Sequence, residues 1–147
     1  MVSKKKIIIA AVVVTVAVVA VFAVYLWQSF TTSFTEVEAT VNDFVNKASS
    51  YDAAGTWGMT TQDYQDSWGE YIEYEGMINS LYEKVWHATI QSISSRALET
   101  KNGITTASIT LTARITDTEQ GTYAEKWIFK LVKTGNEWKI DNWLVQE

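Results

Sequence analysis

The chain contains no cysteine and no proline, and its 147 residues include one histidine and seven glycines. Each shortage removes a class of chemistry. Without cysteine there is no disulfide framework, no thiol nucleophile, no iron–sulfur or c-type haem site and no lipid-modified cysteine. A lone histidine, His87, leaves carboxylates as the remaining metal ligands; these suit hard cations such as Ca²⁺, and no Asp-x-Asp-x-Asp-Gly loop is present to hold one. No metal and no cofactor is therefore expected. The missing proline and sparse glycine exclude a long disordered linker, and there is no internal repeat. Positive charge is also scarce. All 17 acidic residues but only nine of the 12 basic ones lie after Gln28, so that part carries about −8. Such a balance argues against a nucleic-acid partner, whose affinity depends on Lys and Arg neutralising phosphates.

What the chain has in abundance is apolar length. Lys4-Lys5-Lys6 is followed by Ile7 to Trp27 without a single charge. About 20 such residues cross the hydrocarbon core of a bilayer as a helix. Helix is the one form in which a single segment satisfies its own backbone hydrogen bonds in lipid. Tyr25 and Trp27 close the run where amphipathic rings prefer the headgroup level, and the lysine triplet marks the cytoplasmic side. The reading is a basic tail over 1–6, a transmembrane helix over 7–27 and an extracytoplasmic domain over 28–147, held in the cell membrane. The competing readings are a cleaved signal peptide and a type IV pilin-like start. Signal cores run about 7–15 residues and end in a small-x-small site. Ala23-Val24-Tyr25-Leu26-Trp27 offers no such pair, so an uncleaved anchor is expected. No processing site supports the pilin alternative.

Beyond the anchor, Phe34, Val37, Val41, Phe44, Val45 and Ala48 recur at helical spacing. Ser33-x-x-Glu36 has the form of a capping box, yet nothing between Gln28 and Thr35 breaks a helix, so the anchor is equally able to run on. A second helix is expected over Asp52–Trp68 and a third over Tyr74–Val85. From Trp86 the period becomes two. Ala107, Ile109, Leu111, Ala113 and Ile115 alternate with polar residues. Tyr123–Lys133 is apolar on both faces, a pattern usual for a strand covered on both sides. Asn102-Gly103, Glu119-Gln120-Gly121 and Gly135-Asn136 are hairpin signals. They join four strands into an antiparallel meander, giving an α+β arrangement of helices on one sheet.

This order, with the closing Gly135-Asn136-Glu137-Trp138-Lys139-Ile140-Asp141-Asn142-Trp143, resembles the NTF2-like superfamily of cystatin-like cone folds, whose members end in a G-x-W-K-I strand; here two residues rather than one separate Gly135 from Trp138. The resemblance spans about Thr35 to Val145. It implies three helices packed on a curved antiparallel sheet of about four strands, behind a transmembrane helix. In layout the chain is similar to VirB8-type and other conjugation proteins, whose role is assembly. Other members are isomerases and dehydratases, and fold alone does not choose among them.

Two functional expectations follow. The first is a non-catalytic structural or assembly subunit of an envelope or membrane complex, of secretion or conjugation type. Its partners would be the bilayer and other protein subunits, or further copies, held through the sheet face. Tyr123, Trp127 and Phe129, whose strand is apolar on both sides, are the candidate contact residues together with Trp143. The alternative is a small-ligand-binding or isomerase-type domain using the cone cavity, with Trp57, Tyr64 and His87 as its lining. His87 would be an acid or base with an ordinary pKa near 6.5, or else a strand-end residue in solvent. A ketosteroid-type site would need Asp52, Asp63 or Asp66 beside Tyr51 or Tyr64. No local motif aligns such residues, and no catalytic residue is assigned. The acidic run Asp63, Asp66, Glu70, Glu73 and Glu75 reads either as a cation site or as a solvated helix surface.

Overall fold

The computed structural model describes residues 4–146, with side chains placed over residues 14–28 and 33–146. It divides into two compact units, Met1–Thr35 and Glu36–Glu147. Helix α1 (Lys4–Ser49) has no break at Ser33, so the capping-box start does not form. The side chains of Lys4, Lys5 and Lys6 lie outside the described residues.

In the first unit the large apolar side chains from Val14 to Trp27 are each more than half exposed. Val21 is 70 % exposed, Tyr25 64 % and Trp27 76 %. One helix among the described residues is long and apolar enough to cross a membrane.

The second unit packs helices on one face of a sheet. Val37, Val41, Phe44, Val45 and Ala48 form the buried stripe of α1. The helix stops where Ser49 Oγ both donates to the Ala88 carbonyl (3.2 Å) and accepts from the Ala88 N–H (3.0 Å). Three short helices follow: α2 (Ala53–Gly58), α3 (Gln62–Trp68) and α4 (Tyr71–Glu83). The single helix expected over Asp52–Trp68 is thus two, because the chain between them joins the sheet. Thr60 bridges Ile140 in parallel, with Thr61 N donating to Ile140 O and Ile140 N to Met59 O, both at 2.8 Å. Each new helix has its own cap: the Asp52 carboxylate accepts from Gly55 N and the Thr61 hydroxyl from Tyr64 N. A side chain at Gly55 would collide with the capping Asp52 carboxylate. Helix α4 begins three residues before the expected Tyr74.

Strands β1 (His87–Lys101), β2 (Ile104–Asp117), β3 (Gly121–Thr134) and β4 (Glu137–Gln146) form one antiparallel sheet in sequence order. This is the expected meander. Asn102 (φ 54°) and Gly103 (φ 79°) are both left-handed, as the tightest hairpin turn requires. The inner face carries Ile109, Leu111, Ile115, Trp127, Phe129, Leu131 and Ile140, all buried with the α1 stripe in one core. A second, smaller core of Ala53, Tyr64, Tyr74 and Ile78 lies among α2, α3 and α4.

Candidate functional site

The register of the sheet decides which residues are available to a partner. Ile109 pairs with Phe129, Leu111 with Trp127 and Phe129 with Trp143, so Trp127, Phe129 and Trp143 share the face that α1 covers. Phe44 of α1 meets Phe129 and Trp143, each at 5.9 Å and edge-on. Phe129 and Trp143 stack at 5.7 Å, and Trp127 packs on Trp143 at 5.2 Å and Trp86 at 6.1 Å. Trp127 is 1 % exposed and Phe129 fully buried.

The expected contact face is therefore corrected. Trp127 and Phe129 fill the domain's own core and present nothing to a partner. Trp143 is half-buried in the same cluster. Tyr123, at the rim, is engaged by Asp117, to whose carboxylate it donates at 2.9 Å. The physical reason is that β3 is apolar on both sides, and the larger aromatic set wins the interior. The smaller set, Ala124, Ile128 and Val132, faces outward.

That outer face is made of Ser95 and Ala97 on β1, Ser108, Thr110, Thr112 and Arg114 on β2, Lys126, Ile128 and Lys130 on β3, and Leu144 on β4. Ile128 lies opposite Leu144, which is 44 % exposed, and beside Thr110. Toward one end is a hollow of about 270 Å³ with Ala97, Glu99, Ser108, Lys130 and Asp141 on its walls. The sequence signal for this face was present as the alternation of Thr110, Thr112 and Arg114 with buried neighbours.

Of the residues expected to line a cavity, Trp57 and Tyr64 meet across Tyr74 in a packed cluster and His87 does not join them. Trp57 packs on Tyr71 (5.5 Å) and Tyr74 (5.0 Å), and Tyr64 on Tyr74 (6.4 Å) and Trp68 (6.5 Å). They belong to the small core among the helices. His87 stands exposed at the start of β1, opposite Thr116 and apart from that core. Nor do the carboxylate–phenol pairs form. Tyr51 donates to the Trp86 carbonyl, Asp52 caps α2 and Asp66 accepts from Gln62.

Burial governs the phenols. It raises Tyr74 to about 12, and the neighbouring Thr56 pulls weakly the other way. The Thr56 hydroxyl is itself committed to the carbonyls of Asp52 and Ala53, so the Tyr74 hydroxyl is left without a sound hydrogen bond. Burial also raises Tyr64, and raises Tyr123 to about 12 with help from the Asp117 carboxylate. Asp117 is lowered, first by the Gln120 N–H, then by Tyr123, Glu119 N–H and Lys84. These phenols stay neutral at physiological pH and act as packing and hydrogen-bonding groups. No three His, Asp or Glu side chains converge as a metal set among the described residues.

No family model matches the chain, and no curated protein matches it. Among solved structures it is similar to a variant of Rv3472, a protein of unknown function from Mycobacterium tuberculosis. The two share 12 % identity over 81 % of this chain and 73 % of that one, with a TM-score of 0.58. At that identity the likeness concerns the fold alone.

Proposed function

We propose that this is a single-pass membrane protein with its N-terminus in the cytoplasm and an NTF2-like domain outside. The domain acts as a non-catalytic assembly subunit of an envelope or membrane complex, and the outer face of its sheet receives the protein partner. The observation that carries the reading is the helix segment through Val14–Trp27, apolar on every side, with its large side chains each more than half exposed. A helix hydrophobic all round belongs in a protein core or in a bilayer. The basic triplet before it favours the cytoplasmic side for the N-terminus.

The interior supports a binding role over a catalytic one. The space between α1 and the sheet is occupied by Phe44, Trp127, Phe129 and Trp143 in direct ring contact. A ligand site of the cone type needs an enclosed apolar hollow with a few convergent polar groups. The outer face is the broad regular surface left over. Its Ile128–Leu144 pair, rimmed by hydroxyls and charges, has the apolar-centre, polar-rim composition of a protein interface.

The test is the size of the full-length protein's complex in mild detergent, compared with Ile128→Asp. The variant should fall to the monomer while keeping its circular dichroism melt. An unchanged complex would remove the outer face from the proposal.

A further inference from the structure

The charge of the folded unit is sharply divided between its layers. From Asp52 to Glu83, the stretch holding α2, α3 and α4, there are seven acidic residues and no basic one. Asp63, Asp66, Glu70, Glu73 and Glu83 are exposed, and none of the seven forms an ion pair among the described residues. The half-exposed rings of Trp57, Trp68 and Tyr71 lie among them.

The outer sheet face carries the opposite sign. Arg114, Lys126 and Lys130 are exposed, again without an ion pair among the described residues, whereas five other cations of the domain are each engaged by a carboxylate. Arg114 pairs in register with Ala124, which puts Lys126 at its diagonal, a Cα separation of about 7–8 Å. Glu99 and Asp141 temper the charge only around Lys130, in the hollow they share.

Resting on the assembly reading above, we infer that the partner of the outer sheet face is the acidic α2–α4 surface of a second copy. The contact is head-to-tail, with Arg114 and Lys126 meeting Asp63, Asp66 and Glu70. The chain carries both complementary surfaces, so every copy brings its own partner. A heterologous contact of this kind leaves one free surface of each type at the ends and extends into rows or rings. Anchoring all copies in one membrane raises their effective concentration and lets a weak contact operate. Nucleic acid and anionic lipid fit the face poorly, because the domain as a whole is about −8 and repels them.

Full-length protein in detergent micelles is examined by sedimentation velocity at about 50 and 500 mM salt, a range that shortens the screening length several-fold. Wild type should associate at low salt and disperse at high salt. Arg114→Glu/Lys126→Glu and Asp63→Lys/Asp66→Lys/Glu70→Lys should each disperse at low salt, with at least a tenfold loss of affinity. An equimolar mixture of the two should associate again, because each supplies the charge the other lacks. Arg114→Gln/Lys126→Gln repeats the sheet-side test with neutral side chains, and matched thermal melts show that all variants are folded.

Salt-independent association of wild type, or a mixture that stays dispersed, overturns the inference. Loss of association in the sheet variant but not in the helix variant also overturns it, while leaving the outer face as a contact for another partner. Loss in neither, with Ile128→Asp also silent, defeats the assembly reading itself.

Discussion

Replacing Phe129 by alanine removes a ring held between Phe44, Trp127 and Trp143. Truncating a fully buried aromatic costs about 3–5 kcal/mol, and chemical denaturation should show a loss of that size. Ile128, its neighbour in sequence, faces outward, so Ile128→Ala should cost less than about 1.5 kcal/mol. At Val85 the direction reverses. A β-branched residue sits there at φ 52° and 59 % exposed, a conformation that strains it and favours glycine. Val85→Gly should raise stability by about 1 kcal/mol, seen as a higher denaturation midpoint; a lower one would contradict the strain. Asp117 supplies a pH signature. Its carboxyl titrates below the ordinary aspartate range, held there first by the Gln120 N–H. The resulting stabilisation is complete above that range and is lost as pH falls through the lowered pKa. The stability gap between wild type and Asp117→Asn should therefore be open near neutrality and close in acid. At this scale the sequence misled on one point: alternation shows that β3 has two apolar faces, but not which one a distant helix covers.

Among the elements, local patterns were legible and long-range pairings were not. The α1 stripe, the four strands and their three turns all announce themselves through period and turn chemistry. The break between α2 and α3 does not, because its cause is eighty residues away. Thr61 caps α3 and donates to Asp141 Oδ1 at 2.8 Å, while its neighbour Thr60 bridges Ile140. The bridge satisfies the Ile140 N–H and carbonyl on the β4 edge, which would otherwise present unpaired backbone groups there. Thr61→Ala removes both cap and tether and should cost about 1–2 kcal/mol. Thr61→Ser, which keeps the hydroxyl, should recover most of it. The opposite edge, β1, carries irregularities between Ile90 and Ser92 and between Ile93 and Ser95; such bulges blunt an edge against unwanted pairing.

For the whole molecule, the chain is one exposed apolar helix segment and one compact α+β unit. The first was readable because a run without charge has few fates; the second because turn signals fixed a meander. The site was least readable, since a partner surface is defined by what the core leaves over. Orientation is checked by a cysteine at Thr118, in the β2–β3 turn: in this cysteine-free chain it should react with an impermeant maleimide on intact cells, and protection until lysis would reverse the topology. The central claim, that the outer sheet face is the working surface, is tested most directly by a photo-crosslinking residue at Thr112 in intact membranes. A protein adduct at Thr112 and none at Asn102, in the β1–β2 hairpin, is the expected result. The absence of any adduct at Thr112, with the protein folded and membrane-bound, would contradict it.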